Sequence, residues 1–148
     1  MDEHELHVFI DIVSQYFSRQ TGREPEIGTP YLGEPAALPV HDLTGVIGIS
    51  GVRKGCVYFT APKDMLRNLL LQGGEMDVSD DNLSDMAGEI ANTISGNARK
   101  HFGGDFLISV PVVVAGCPDS IQMPRTVKAY ILPLRWHKHE AVLVVSLQ

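Results

Sequence analysis

Five residues at helical spacing offer the clearest chemistry in this sequence. Asp85, Glu89, Asn92, Gly96 and Arg99 recur at intervals of four, three, four and three, so a helix would align them in one stripe. A carboxamide can both accept and donate a hydrogen bond, and a carboxylate can pair with a cation. An ordinary solvated helix face would more often carry Lys, Glu and Gln. The stripe therefore indicates a surface that contacts another group rather than solvent alone.

Two glycines interrupt the same segment. Gly88 and Gly96 each cost about 1 kcal/mol relative to alanine inside a helix. Since a helix gains nothing from them, they indicate that another backbone approaches this helix closely.

The elements around the stripe support its placement on a helix. Ser79-Asp80-Asp81 can cap the helix and load its first turn with negative charge, and Gly103-Gly104 can end it after Phe102. Apolar residues at spacings of three and four form its other side and predict the face that packs on the core. These residues are Leu83, Met86, Ala87, Ile90, Ile94 and Ala98.

Two more helices and six strands are predicted from the remaining chain. The first helix covers residues 3–20 and stops at Thr21-Gly22, and a short one runs from Ala61-Pro62 to Gly73-Gly74. The continuously apolar segment 141–145 predicts a strand at the centre of the sheet. The strands are an irregular, proline-containing segment at 23–42, then Leu43–Ile49, Cys56–Thr60, Phe106–Ala115, Arg125–Leu134 and Glu140–Leu147.

The sequence also contains a faint internal repeat. Asp11-Ile12-Val13-Ser14 is similar to Glu89-Ile90-Ala91-Asn92, and Ile27-Gly28-Thr29-Pro30 is similar to Ile108-Ser109-Val110-Pro111. The two offsets, 78 and 81 residues, differ by a gap of three. The repeat predicts two halves, each with one helix and three strands. In the first half Asp11 and Ser14 replace Glu and Asn, so that copy is expected to have lost its function.

Bulk properties exclude several classes of protein. A length of 148 residues predicts one domain over 1–148, and a net charge of -6 argues against a nucleic-acid surface. No apolar run is long enough to cross a membrane, and the acidic N-terminus is unlike a secretion signal, so we expect a cytoplasmic protein without membrane contact. Cys56 and Cys117 are expected to be small, buried, reduced thiols.

Two histidine-containing groups could bind metal. His4, His7 and Asp11 share one face of the first helix, but no fourth ligand lies nearby in sequence, and a solvated face is favoured. His137-Lys138-His139 is expected to form a solvent-facing turn. We therefore predict no metal site in this chain, although a metal-dependent enzyme using the first group remains the third hypothesis.

The motif and its flanks resemble the CheX/CheC/FliY phosphatases of bacterial chemotaxis. The resemblance rests on Glu89-x-x-Asn92-x-x-x-Gly96, with an acid four residues before the Glu. It extends to the hairpin containing 46–51 with Lys54-Gly55 and to the segments 108–111 and 112–116, so it covers nearly the whole chain. The single intact motif is more similar to CheX than to CheC, whose pattern has two copies. Pro111 lies closer to Asn92 than the proline of the family pattern does.

The resemblance implies a fold, a reaction and a partner. The fold would be CheC-like α+β, with helices on an antiparallel or mixed six-stranded sheet and pseudo-duplicated α-βββ halves. The chain would dephosphorylate the aspartyl phosphate of a CheY-like response regulator, with Asn92 orienting the attacking water and Glu89 pairing with the regulator's lysine. Asp85, Gly88 and Gly96 would contact the partner. The regulator would supply Mg²⁺, no cofactor would bind this chain, and the protein would be a homodimer joined through its sheets.

A non-enzymatic function is the main alternative. The same fold could bind regulators or dimerise without hydrolysing anything. The intact pair of Glu89 and Asn92 favours the enzyme, since a purely structural descendant would not need it.

Overall fold

The computed structural model describes residues 1–34, 37–116 and 128–148. Within them, helices pack against an antiparallel sheet, which confirms the predicted α+β class. The helices are α1 (Glu3–Thr21), α2 (Lys63–Gln72) and α3 (Asp80–Phe102). The strands are β1 (Glu26–Ile27), β2 (Tyr31–Gly33), β3 (Leu43–Gly51), β4 (Gly55–Ala61), β5 (Phe106–Ile108), β6 (Val112–Ala115), β7 (Ala129–Trp136) and β8 (His139–Leu147).

Helix α1 ends at the predicted signal and begins at a capping box that was not predicted from the sequence. The Asp2 carboxylate accepts a hydrogen bond from the Glu5 N–H at 2.8 Å, and the Glu5 carboxylate accepts one from the Asp2 N–H at 3.1 Å. This reciprocal capping box satisfies two backbone donors that a helix start would otherwise leave unpaired. At the other end Gly22 adopts a left-handed conformation with φ 74°, as predicted.

The sheet has the order β1-β7-β8-β4-β3-β5, with β2 also paired to β7 and β6 also paired to β3. Strand β8 lies between β7 and β4 and is buried on both faces, which confirms the prediction of a central strand from its continuous apolar sequence. The inner face packs against the three helices. The outer face has a smaller apolar cluster around Tyr58, Ile131 and Val144.

The described residues form eight strands, because two of the six predicted ones are each divided. Pro30 falls between β1 and β2, and Pro111 falls between β5 and β6. Proline has no N–H to donate to a ladder, so it interrupts edge strands without preventing the flanking residues from pairing. Both pieces of each divided strand still pair with the same neighbour. The first three residues of the predicted strand Arg125–Leu134, and Cys117, lie outside the described residues.

The register of the sheet repeats in the two halves of the chain. Ile27 of the first half lies opposite Leu134 of the second, and Ile108 of the second half lies opposite Ile49 of the first. The next residue donates in each case: the Gly28 N–H bonds the Pro133 carbonyl at 2.8 Å, and the Ser109 N–H bonds the Gly48 carbonyl at 2.9 Å. This equivalence supports the predicted duplication.

The main core lies between the helices and the inner face of the sheet. Phe17 of α1 contacts both Phe59 of β4 and Trp136 of β7, with ring centroids 6.4 and 6.2 Å apart. The Trp136 indole N–H donates to the Thr21 hydroxyl at 3.2 Å, which fixes the end of α1 against β7. In the described part of the chain, no helix combines the length and hydrophobicity needed to span a membrane.

Candidate functional site

Helix α3 is the element that positions the predicted stripe. Its N-cap is Ser79, whose hydroxyl accepts from the Asn82 N–H at 3.4 Å, and Asp80 and Asp81 occupy its first turn. Acidic groups there and basic groups in the last turn both interact favourably with the helix dipole. Leu83, Ile90 and Ile94 are fully buried, so the helix is anchored along its whole length.

The predicted stripe is displayed on the surface. Asp85, Glu89, Asn92 and Arg99 are exposed, and Gly96 is half-buried. Within the described residues, the side chains of Asp85, Glu89 and Asn92 make no hydrogen bond or ion pair. Three polar groups on a rigid, well-anchored helix are therefore available to another molecule.

Gly88 does not belong to this surface, and the prediction that it contacts a partner is corrected here. It is buried, and a Cβ added to it would lie 3.0 Å from the Val113 side chain and 3.5 Å from that of Pro111. The facing residue, Gly45 of β3, is constrained more tightly, since its added Cβ would lie 2.4 Å from the Ala87 carbonyl oxygen. The close backbone approach that the glycines indicated exists here, but within the chain itself.

Gly96 is in a different environment. A Cβ added to it would meet no atom within 4 Å. The chain's own packing therefore does not require a glycine at this position. The open space beside Gly96 faces outward, next to the exposed side chains of Glu89 and Asn92.

Tyr16 of α1 lies close enough to the stripe to interact with the charge of Glu89. Its side chain is 7% exposed. Burial raises the pKa of the Tyr16 phenol above its usual value, and the negative charge of Glu89 raises it further. No local signal could have found this proximity, because it depends on how α1 packs beside α3. A polar groove of about 320 Å³ lies between these helices, lined by Ile12, Gln15, Tyr16, Arg19, Gln20, Thr93, Asn97, Lys100 and His101.

The histidines at the β7–β8 turn differ from the prediction of a solvent-facing turn. His137 is exposed, but His139 is 7% exposed and its Nε2 lies 2.7 Å from the Asn68 amide nitrogen. Desolvation lowers the pKa of His139, so it accepts this hydrogen bond as a neutral ring. Within the described residues, no group of three His, Cys, Asp or Glu side chains is arranged to hold a metal.

The stripe can orient and dock, but it needs a second molecule to react. The Asn92 carboxamide can hold a water by accepting its hydrogen bond while donating to an anion. The Glu89 carboxylate can form a charge-assisted hydrogen bond with a cation. Neither group is a strong nucleophile.

Comparison with known proteins identifies several relatives. The family model described as "Chemotaxis phosphatase CheX" matches residues 43–135, which include the entire stripe. A CheC-like superfamily protein from Shewanella sp. PV-4 is 23% identical, with a TM-score of 0.86 over 100% of this chain and 99% of its own. A putative chemotaxis protein from Desulfovibrio vulgaris Hildenborough is 25% identical, with a TM-score of 0.84 over 98% and 97%.

A third structure contains a partner. It is the CheX-CheY-BeF3-Mg²⁺ complex from Borrelia burgdorferi, 19% identical, with a TM-score of 0.77 over 97% of both chains. No curated protein sequence matches this chain.

Proposed function

The chain belongs to the CheX family of chemotaxis phosphatases, as its motif predicted, and we propose that it hydrolyses the aspartyl phosphate of a CheY-like response regulator. The observation that carries this proposal is the exposed pair of Glu89 and Asn92, which make no hydrogen bond or ion pair within the described chain. Unpaired polar groups fixed on one helix are suited to completing a site on another protein.

Asn92 is proposed to orient the attacking water. Phosphoryl transfer passes through a loose transition state, so catalysis depends mainly on positioning and on stabilising charge. The carboxamide oxygen would accept from the water while its NH₂ donates to a phosphoryl oxygen. This role needs no strong base.

Glu89 is proposed to bind the regulator's lysine, and Asp85 to extend that contact. Glu89 lies about one turn before Asn92, so a bond at Glu89 would set the position of the carboxamide over the phosphate. The Glu89→Ala change is expected to weaken the acceleration of phosphate loss without abolishing it. Gly96 would leave space for the regulator's loops.

The regulator is proposed to supply the rest of the active site. Its own Mg²⁺, aspartate and lysine would bind and polarise the phosphoryl group. This chain would bind no cofactor itself. We also propose a homodimer joined through its sheets, and light scattering that gives a mass of one chain at working concentration would contradict it.

The test is the decay of phosphate from a panel of the host's CheY-like regulators, with and without the chain. The proposal predicts that at least one regulator loses its phosphate faster in the presence of catalytic amounts of the chain. Complex formation with an unchanged phosphate lifetime would instead assign the chain to the alternative, a non-catalytic module that binds regulators.

A further inference from the structure

A short loop beside the stripe presents an apolar side chain that the fold does not use. Ser109, Val110 and Pro111 join β5 to β6 at the edge of the sheet, and Val110 is 83% exposed. A valine so exposed contributes little to the core. Single exposed apolar residues are common, and this one is distinguished by its position and by the hydrogen bonds that hold its loop.

Hydrogen bonds on both sides of Val110 hold the loop. The Gly48 N–H donates to the Ser109 hydroxyl at 2.8 Å, and that hydroxyl donates to the Val110 carbonyl at 3.0 Å. The Ser109 N–H donates in turn to the Gly48 carbonyl at 2.9 Å. Ser109 therefore clamps the loop to β3, which lowers the cost of ordering Val110 on binding.

The loop lies next to the proposed catalytic residue. Pro111 lies beside Gly88, where a Cβ added to the glycine would come within 3.5 Å of the proline side chain. Gly88 precedes Asn92 by four residues, so the two are neighbours along the same side of α3. Val110, the residue before Pro111, therefore lies near the stripe.

The duplicated half supplies an internal comparison. There the equivalent loop is Gly28-Thr29-Pro30, and it keeps the backbone bond from Gly28 to Pro133. Gly28 has no hydroxyl, however, and Pro133 has no N–H, so neither partner of the Ser109 clamp exists. The exposed valine is replaced by Thr29. The clamp and the valine occur in the half that has Glu and Asn, and both are missing from the half that has Asp11 and Ser14.

We propose that Val110 is an apolar contact for the receiver domain that docks on α3, and that Ser109 is the residue that positions it. The inference rests on the proposed function for the identity of the partner. Val110 would bury its side chain against the regulator beside the phosphorylated aspartate and so help to discriminate among regulators. Asn92 would then lie at the edge of a contact from which water is excluded.

The test compares Val110→Asp with Thr29→Asp, its counterpart in the other half. Phosphate decay is measured at varied concentrations of the regulator that the wild-type chain accelerates most. Val110→Asp is expected to raise KM at least tenfold and to change kcat less than twofold, whereas Thr29→Asp changes neither. Ser109→Ala is expected to raise KM by less, and Ser109→Thr, which keeps the hydroxyl, to restore it.

A binding measurement separates this proposal from the proposed function. The panel's receiver domains, activated with beryllofluoride and Mg²⁺, are titrated with the Asn92→Ala chain with and without Val110→Asp. Weaker binding with Val110→Asp supports the contact even if the wild-type chain hydrolyses nothing. Equal binding, an equal effect of Thr29→Asp, or a change in oligomeric state with Val110→Asp would overturn it, and the last result would place a second copy of the chain on the loop.

Discussion

At the scale of single residues, Gly88 and Gly96 show how much a pattern can and cannot predict. Both are helix-interior glycines, and the sequence predicted a close approach at each. Gly88 is buried against β6, whereas Gly96 has open space around its missing Cβ. Helical spacing predicts which residues share a face. It does not predict which face meets the chain's own sheet, because that depends on partners such as Gly45 and Val113, which are far away in sequence.

Gly96→Ala should separate stability from function. Since a Cβ at this position meets nothing, the variant should gain about 1 kcal/mol of unfolding free energy from helix propensity. The added methyl group would occupy the clearance proposed for the regulator's loops, so KM for the phosphorylated regulator should rise. Urea unfolding and phosphate decay measure the two effects. Unchanged kinetics in a stabilised variant would show that Gly96 does not provide clearance for a partner.

At the scale of elements, the close packing of α3 on β3 determines how far the stripe lies from the sheet. Gly45 lets the Ala87–Gly88 backbone lie directly on the strand, and Pro111 fills the space beside Gly88. The helix ends and most strands were predictable from local chemistry: caps, glycines and apolar runs. The division of the edge strands was not predictable in this way. Whether a proline divides a strand or ends it depends on how the residues on either side of it pair.

Gly45→Ala is expected to be strongly destabilising. The new Cβ would lie 2.4 Å from a backbone oxygen, so α3 must move away from β3. Overpacking of this kind costs about 1–3 kcal/mol. Urea unfolding checks the loss. The control is Gly104→Ala, where an added Cβ meets no atom within 4 Å. Equal stability of the two variants would mean that the Gly45–Gly88 contact does not set the helix position.

At the scale of the whole molecule, a duplicated frame carries one intact stripe. The two halves share strand order and register, and their sequences align Asp11 and Ser14 with Glu89 and Asn92. The repeat was detectable in the sequence only as two pairs of short, similar segments. The register places the second of these pairs, Ile27-Gly28 and Ile108-Ser109, at equivalent positions in the sheet.

The stability of the whole fold should depend on pH through His139. Desolvation, together with the charge of Lys138, holds the pKa of this buried ring below its usual value of about 6.5, although Asp64 opposes the shift. The His139 ring therefore binds a proton more readily in the unfolded chain than in the folded chain. The His139 contribution is present above pH 6.5 and is lost as the pH falls below it. The urea midpoint should fall between pH 7.5 and pH 5.5 by more in the wild type than in His139→Gln. An equal fall in both would contradict the assignment.

Asn92 is proposed to position the water that releases phosphate from a docked regulator. This role is tested by comparing phosphate decay with the wild-type chain and with Asn92→Ala, at concentrations where both bind the beryllofluoride-activated regulator equally. Because the side chain is exposed at the surface of α3, the variant should fold and dock normally. The Asn92→Ala chain is expected to bind the regulator but no longer to shorten the phosphate lifetime. An unchanged acceleration by Asn92→Ala would show that the carboxamide does not position the water.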